Sequence, residues 1–127
     1  MANNKVLVID ADMQRAGNLL TVLEFIEYEA LHTTDCDGWQ VPVEQDSDIT
    51  AVILGGCDTL ESVEGVVRGI RELKADMPLL MLVEKGSPLP LSGDLAQGIH
   101  GRIELPVRFS RVSRKLWALP RSSLSWA

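Results

Sequence analysis

Hydrophobic residues along this chain follow two patterns, short uninterrupted runs and stripes with a helical period. Short apolar runs rich in β-branched residues are typical of strands buried on both faces of a parallel sheet. The central run forms the middle of the stretch Ile49–Gly56, which ends in two glycines. The five predicted strands are Lys5–Asp10, Ala30–Thr34, Ala51–Gly55, Leu79–Val83 and Gly101–Leu105.

Between the runs, apolar residues recur every three or four positions, which predicts amphipathic helices. Asp10 or Asp12 can cap the first of them, and Asp58, Thr59 or Ser62 can begin the one that follows the central strand. The predicted helical segments run from Met13 to about Tyr28, from Asp37 to Gln45, from about Ser62 to Leu73, near Asp94–Gln97, and from Phe109 to Leu119.

Strands that alternate with helices pair in parallel through right-handed crossovers. The sequence therefore predicts an α/β fold with three layers, a doubly wound five-stranded sheet of order 2-1-3-4-5. Pro88, Pro90 and Gly93 leave the fourth helix degenerate. Residues 1–120 form one predicted domain, and residues 121–127 a linker or tail.

The net charge of −6 argues against direct binding of nucleic acid by this domain. No apolar run has the length of a membrane span, and the first residues lack the layout of a signal peptide, so we expect a cytoplasmic protein. Cys36 and Cys57 have no metal-type spacing. Because the compartment is reducing, we expect free thiols and no disulfide.

Four segments of the chain resemble the receiver domain of response regulators: VLVIDAD (6–12), AVILG (51–55), PLLMLVE (78–84) and RIELPVR (102–108). The resemblance implies a site at the carboxyl ends of the strands. Receivers hold Mg²⁺ with two acids after the first strand and phosphorylate an aspartate after the third. A hydroxyl residue after the fourth strand and a lysine after the fifth complete the site, because the phosphoryl charge needs neutralising.

Four of these five positions have lost their chemistry in this sequence. Asp10 keeps one metal acid, but Ala11 stands where the second is expected. Gly55 replaces the phosphoacceptor, Val83 the hydroxyl residue and Leu105 the lysine. The pattern is that of a pseudo-receiver with no catalytic residues.

Among pseudo-receivers, the chain is most similar to the N-terminal domain of the FleQ family of sigma-54-dependent transcription activators. The likeness rests on RAGNLLTVLEFI (15–26), DGW (37–39), the glycine after the third strand and ELP (104–106). It implies a role in flagellar gene regulation, with an AAA+ ATPase domain and a helix-turn-helix domain as partners in the same longer chain. It implies no cofactor in this domain, because the family's nucleotide sites lie in the other parts.

Asp10 and Asp12 are candidate ligands of a weak metal site, although a helix cap and a solvated acid explain them better. Asp58 is a candidate displaced phosphoacceptor, for which a helix cap is again the preferred interpretation. Two other functions stay open, an atypical phosphoreceiver and a small ligand-binding module of flavodoxin-like topology.

The sequence keeps the strands of a receiver but not its catalytic residues, which suggests that the domain is retained for its surface. We therefore expect a homodimer. One candidate interface has Val66, Gly69 and Ile70, where glycines permit close approach. The other is basic and contains Arg108, Arg111 and Trp117. The first is favoured, since like charges facing each other repel.

Overall fold

The computed structural model describes residues 5–34, 36, 38–39, 48–57, 59–74, 76–86, 91, 93–105 and 109–117 of the chain. The predicted helix at 37–45, Asp58 and the tail at 121–127 lie wholly or largely outside these residues. The strands are β1 (Lys5–Ile9), β2 (Glu29–Thr33), β3 (Ile49–Leu54), β4 (Leu79–Val83) and β5 (Gly101–Glu104). The described helices are α1 (Met13–Phe25), α2 (Leu60–Leu73), α3 (Gly93–Gln97) and α4 (Phe109–Trp117).

The five strands form one parallel sheet of order β2-β1-β3-β4-β5, which confirms the predicted topology. β1 lies between β2 and β3, with Ile9 paired to Thr33 on one side and to Leu54 on the other. The carboxyl ends of all three strands therefore meet at one edge of the sheet. None of the described helices is long and apolar enough to cross a membrane.

The alternating side chains of the strands supply two hydrophobic cores, one on each face of the sheet. Leu7, Val52 and Leu54 belong to the core that α2 covers. Val6, Val8 and Ile53 belong to the core that α1 and α4 cover. Because both faces are covered, the central strands are apolar throughout, which explains why their sequences show no period of two.

Helix boundaries follow local capping groups. Asp12 caps α1, since its carboxylate accepts the amides of Gln14 and Arg15, and the Thr59 hydroxyl accepts the amide of Ser62 at the start of α2. α1 ends at Phe25, three residues before the predicted end near Tyr28. There Glu27 adopts a φ of 70°, and the amide of Tyr28 turns back to the carbonyl of Leu23, which redirects the chain into β2.

The segment between β4 and β5 carries only the five-residue helix α3, as expected from its prolines and glycines. An arginine of α2 fastens this segment to the domain. The Nη2 atom of Arg71 donates to the carbonyls of Met77 and Gly98, at 2.9 and 2.7 Å. The short helix is thus anchored by a side chain from its neighbour, although its own length would not stabilise it.

The residues predicted to form an interface on α2 are wrong, because they are not available on the surface. Val66 and Ile70 are at most 1% exposed, because they point into the core of the domain itself. Gly69 lies under the indole of Trp39: a Cβ at this position would stand 2.5 Å from the ring. The small residue predicted to admit a second copy instead admits a tryptophan of the same chain.

Two glycines four residues apart in α2 should respond oppositely to alanine. Gly65 has open space around it, so Gly65→Ala should stabilise the fold by about 0.5–1 kcal/mol through helix propensity. Gly69→Ala should destabilise it by about 1–3 kcal/mol, because the added methyl collides with Trp39. Urea denaturation measures both free energies of unfolding. Shifts of the same sign would contradict the packing described.

Candidate functional site

The candidate site lies where β1 and β3 end side by side. Asp10 follows β1, and Gly55 and Gly56 follow β3. Two backbone hydrogen bonds join the ends: the amide of Gly55 donates to the carbonyl of Ile9 at 2.7 Å, and the amide of Ala11 donates to that of Gly56 at 2.9 Å. The parallel register therefore places the glycine pair directly against Asp10.

Asp10 and Arg15 form a bidentate ion pair at the carboxyl ends of these strands. The Nε atom of Arg15 donates to Oδ2 of Asp10, and its Nη2 atom donates to Oδ1, both at 2.7 Å. The amides of Asp12 and Gly56 also donate to Oδ1, at 3.0 and 3.1 Å. The Asp10 side chain is fully buried, whereas that of Arg15 is 27% exposed. This geometry is the strong, charge-assisted form of a hydrogen bond.

The surroundings keep both partners ionised. Burial raises the pKa of Asp10, but the hydrogen bonds from Arg15, Asp12 and Gly56, together with the charge of Arg15, outweigh it, so that the pKa lies below its usual value. The hydrogen bond to Asp10 raises the pKa of Arg15, against the effect of burial. The site holds a carboxylate and a guanidinium that are already neutralised by each other.

Both glycines after β3 are required by this ion pair. A Cβ on Gly55 would overlap the Asp10 side chain, since it would collide with the Oδ2 and Cγ atoms of the carboxylate. A Cβ on Gly56 would stand 2.6 Å from Nη2 of Arg15. The absence of a phosphoacceptor at Gly55 is therefore a packing requirement, because the space of a side chain is occupied by Asp10.

The other degenerate positions carry no chemistry either. Val83 is buried and Leu105 packs at the border of the core that α1 covers. Ala11 is exposed and ends in a methyl group. His32, from β2, approaches the backbone of Asp10: its Nε2 atom lies 3.2 Å from the Asp10 carbonyl oxygen.

Asp10 and Asp12 do not fit the Mg²⁺ that the fold implies. Asp10 already accepts four hydrogen bonds, two of them from a cation. One carboxylate oxygen of Asp12, Oδ1, accepts hydrogen bonds from the helix amides of Gln14 and Arg15. Within the described residues, no group of three or more acids, histidines or cysteines could hold a metal ion. A hard cation such as Mg²⁺ needs several free oxygen ligands, whereas the guanidinium of Arg15 already occupies the position beside the Asp10 carboxylate.

The expectation of free thiols is wrong, because Cys36 and Cys57 form a disulfide with their Cα atoms 6.0 Å apart. Their spacing of 21 residues gives no hint of pairing. The strand order explains it: Cys36 follows β2 and Cys57 follows β3, and these strands flank β1, so that both loops can close over the end of β1.

Several candidates fall where the structure gives no side chain. Arg108 lies outside the described residues, and of Arg111 and Trp117 only the backbone, within α4, is described. Asp58 is also outside, and the cap predicted there is provided by Thr59. Sequence reasoning missed Arg15 altogether. An aspartate at a strand end with an arginine five residues later, in the first turn of a capped helix, is the signal that could have found it.

A family model described as "Flagellar regulatory protein FleQ" matches residues 5–118. The chain belongs to the FleQ family. The match spans all of the described residues and confirms the resemblance drawn from the sequence. No curated protein is significantly similar to the chain.

Solved structures of response regulators and their receiver domains are similar to this FleQ-family domain. The chemotaxis protein CheY4 of Vibrio cholerae superposes with a TM-score of 0.80 at 19% identity, over 94% of this chain and 100% of that one. TrrA of Thermotoga maritima, solved in complex with Mg²⁺–BeF, gives 0.78 at 18% identity, over 92% and 99%. A receiver domain from Clostridium thermocellum gives 0.75 at 23% identity, over 88% and 90%. These likenesses establish the receiver fold.

Removing only the arginine of the ion pair should be costly. Arg15→Met leaves a buried carboxylate without its cation, and we expect a loss of about 3 kcal/mol in the free energy of unfolding at pH 7. The double variant Asp10→Asn/Arg15→Met should recover at least half of that loss, because the uncompensated charge is gone. Arg68→Met, at an exposed arginine of α2, is the control and should change little. Urea denaturation measures all four proteins.

The pH dependence of the same variants follows from the lowered pKa of Asp10. In the wild type the ion pair contributes fully above the ordinary aspartate value of 3.8, and its contribution is lost as pH falls through the folded pKa. In Arg15→Met the hydrogen bonds and the charge of Arg15 no longer lower the pKa of Asp10, so the carboxyl group protonates at a higher pH than in the wild type, and the difference in stability between the two proteins should narrow as the solution is acidified. A gap that stays constant from pH 7 to pH 3 would contradict the ion pair.

Proposed function

We propose that the chain is a non-catalytic regulatory domain of a cytoplasmic, sigma-54-dependent activator of flagellar genes, and that it works without phosphorylation. The observation that carries this proposal is the ion pair of Asp10 and Arg15, which fills the space in which Gly55 would need a side chain. Membership of the FleQ family supports the regulatory role.

Among the described residues, the contacts at the carboxyl ends of β1 and β3 argue against phosphoryl transfer. A phosphoacceptor must be a carboxylate with a free oxygen, and Asp10 has its oxygens committed to Arg15 and to backbone amides. The transferred group also needs cations that are free to neutralise it. Arg15 is committed to Asp10, and Leu105 offers an aliphatic side chain where an ammonium group is needed.

The partners of the domain in this proposal are an AAA+ ATPase domain and a helix-turn-helix domain of the same longer chain. The support is the family assignment together with the net charge of −6, which leaves DNA contact to another domain. The gene sequence downstream of residue 127 tests it. A Walker A motif there agrees with the proposal, and a stop codon would contradict it.

Exposure to a phosphodonor should leave the domain unchanged. We expect no mass increase with acetyl phosphate and Mg²⁺, and no change in the amide NMR spectrum with Mg²⁺ and BeF. The regulator TrrA, whose structure holds Mg²⁺–BeF, is the positive control. Gly55→Asp should also stay unlabelled, since Arg15 is held by Asp10 and Leu105 supplies no ammonium group, and it should unfold more easily because the new side chain collides with Asp10. Mg²⁺-dependent labelling of any aspartate in the wild type would refute the proposal.

Self-association is the second part of the proposal, and the face formed by β5 and α4 is its best-supported surface. An open groove of about 420 Å³ lies there, lined by Arg102, Ile103, Glu104, Arg114 and Lys115. The groove combines three cations with one acid. Two copies related by a twofold axis can therefore place Glu104 of each against a cation of the other, which relieves the repulsion expected of a basic surface.

Size-exclusion chromatography with light scattering tests this interface. The wild type should be a dimer at high micromolar concentration. Arg114→Glu removes a cation and adds an acid to the groove, so it should be monomeric. Arg68→Glu makes the same charge change on α2 and should remain dimeric. A monomeric wild type, or a dimer lost only in Arg68→Glu, would contradict the proposed surface.

A further inference from the structure

The disulfide of Cys36 and Cys57 joins two loops that stand on either side of the buried ion pair. Cys57 directly follows Gly56, whose amide donates to Asp10 and whose carbonyl accepts from the amide of Ala11. Cys36 lies beyond the end of β2, on the other side of β1. The bond therefore links the loop that supports Asp10 to the loop that follows β2.

Reduction would also affect the segment that carries Trp39. Trp39 is three residues after Cys36 and only 4% exposed, and its ring lies against Gly69 of α2. The cross-link thus fixes one end of a short segment whose tryptophan fills the groove over that glycine. Without the cross-link, the position of the indole depends on its packing alone.

The same geometry can accommodate free thiols. The Sγ atom of Cys36 lies 3.9 Å from the carbonyl oxygen of Gly56, so a thiol at Cys36 has a weak acceptor at hand. Both cysteines are half-buried and pack at the border of the α2 core. The oxidised site holds the two sulfurs in a disulfide, and the reduced site offers the Gly56 carbonyl as an acceptor to the Cys36 thiol. Such a site is suited to reversible oxidation and reduction.

We propose that Cys36 and Cys57 are a reversible redox modification site that exchanges with a dithiol reductant and controls the packing of Trp39. A thiolate of the dithiol attacks one sulfur, the Cys36–Cys57 bond breaks, and a mixed disulfide forms. The second thiol of the reductant then displaces the protein sulfur. The products are two cysteine thiols and an oxidised dithiol, so two electrons and two protons pass to the protein.

The chemical class of the reductant follows from the charges beside the cysteines. In the sequence, Asp35 and Asp37 flank Cys36, and Asp58 follows Cys57. Acidic neighbours repel an anionic thiol such as glutathione, which favours an uncharged dithiol. The physiological meaning rests on the cytoplasmic role proposed above, because disulfides that occur in reducing compartments are typically transient or redox-sensing.

The test equilibrates the 127-residue chain, without denaturant, in a series of ratios of reduced to oxidised dithiothreitol. Free thiols are then trapped with a maleimide and counted by intact mass. We expect the chain to pass from no label to two labels as the dithiol fraction rises. The tryptophan emission should shift to the red with the same midpoint, and the melting temperature should fall on the order of 10 °C in the reduced form.

Two variants assign the signal. Trp39→Phe should keep the labelling transition but lose the redox-dependent emission shift. Cys57→Ser should show the reduced emission at every ratio. Glutathione at an equal thiol concentration should reduce the chain more slowly than dithiothreitol.

Three results would overturn the proposal: two labels on the oxidised chain, a disulfide that reacts only after denaturation, or labelling that leaves the Trp39 emission unchanged. None of them bears on phosphorylation, so failure here is separate from failure of the proposed function.

Discussion

The buried carboxylate of Asp10 is the constraint on which the rest of the site depends. A charge that is fully removed from water must be paired and hydrogen-bonded, or the fold cannot tolerate it. The pairing comes from Arg15 and from two backbone amides. The arginine reaches the strand end because α1 begins directly after Asp12, and both side chains fit because the first two residues after β3 are glycines.

Such an ion pair specifies a geometry more than it adds net stability. Desolvation of the two charges offsets most of their attraction, so that apolar replacements of both partners can be nearly neutral, whereas loss of one partner is costly. This asymmetry explains why Gly55 and Gly56 belong to the same unit as the pair. Each glycine is needed only because the pair is present, and the pair leaves no room for the side chain that a phosphoreceiver places there.

Much of the fold could be predicted because it depends on local patterns. Five apolar runs gave the strands and their alternation with helices gave the order of the sheet, since few topologies bury such strands on both faces. The sequence indicated which catalytic residues of a receiver are absent from the site, but it did not indicate that an ion pair of Asp10 and Arg15 occupies it. Arg15 looked like an ordinary polar residue of α1, because the contact with Asp10 depends on how the helix leaves the strand. The role of Gly69 and the pairing of Cys36 with Cys57 depend on segments distant in sequence, which no periodicity reports.

The most direct test of the central claim is a carbon-detected NMR titration of the Asp10 carboxyl group in the wild-type chain. The ion pair predicts that the Cγ resonance titrates below the ordinary aspartate value of 3.8, and that it does not respond to millimolar Mg²⁺ at neutral pH. The Nε proton of Arg15 should show slow exchange and a coupling partner at Asp10. A carboxyl group that titrates at or above the ordinary value, or one that shifts on addition of Mg²⁺, would contradict the account.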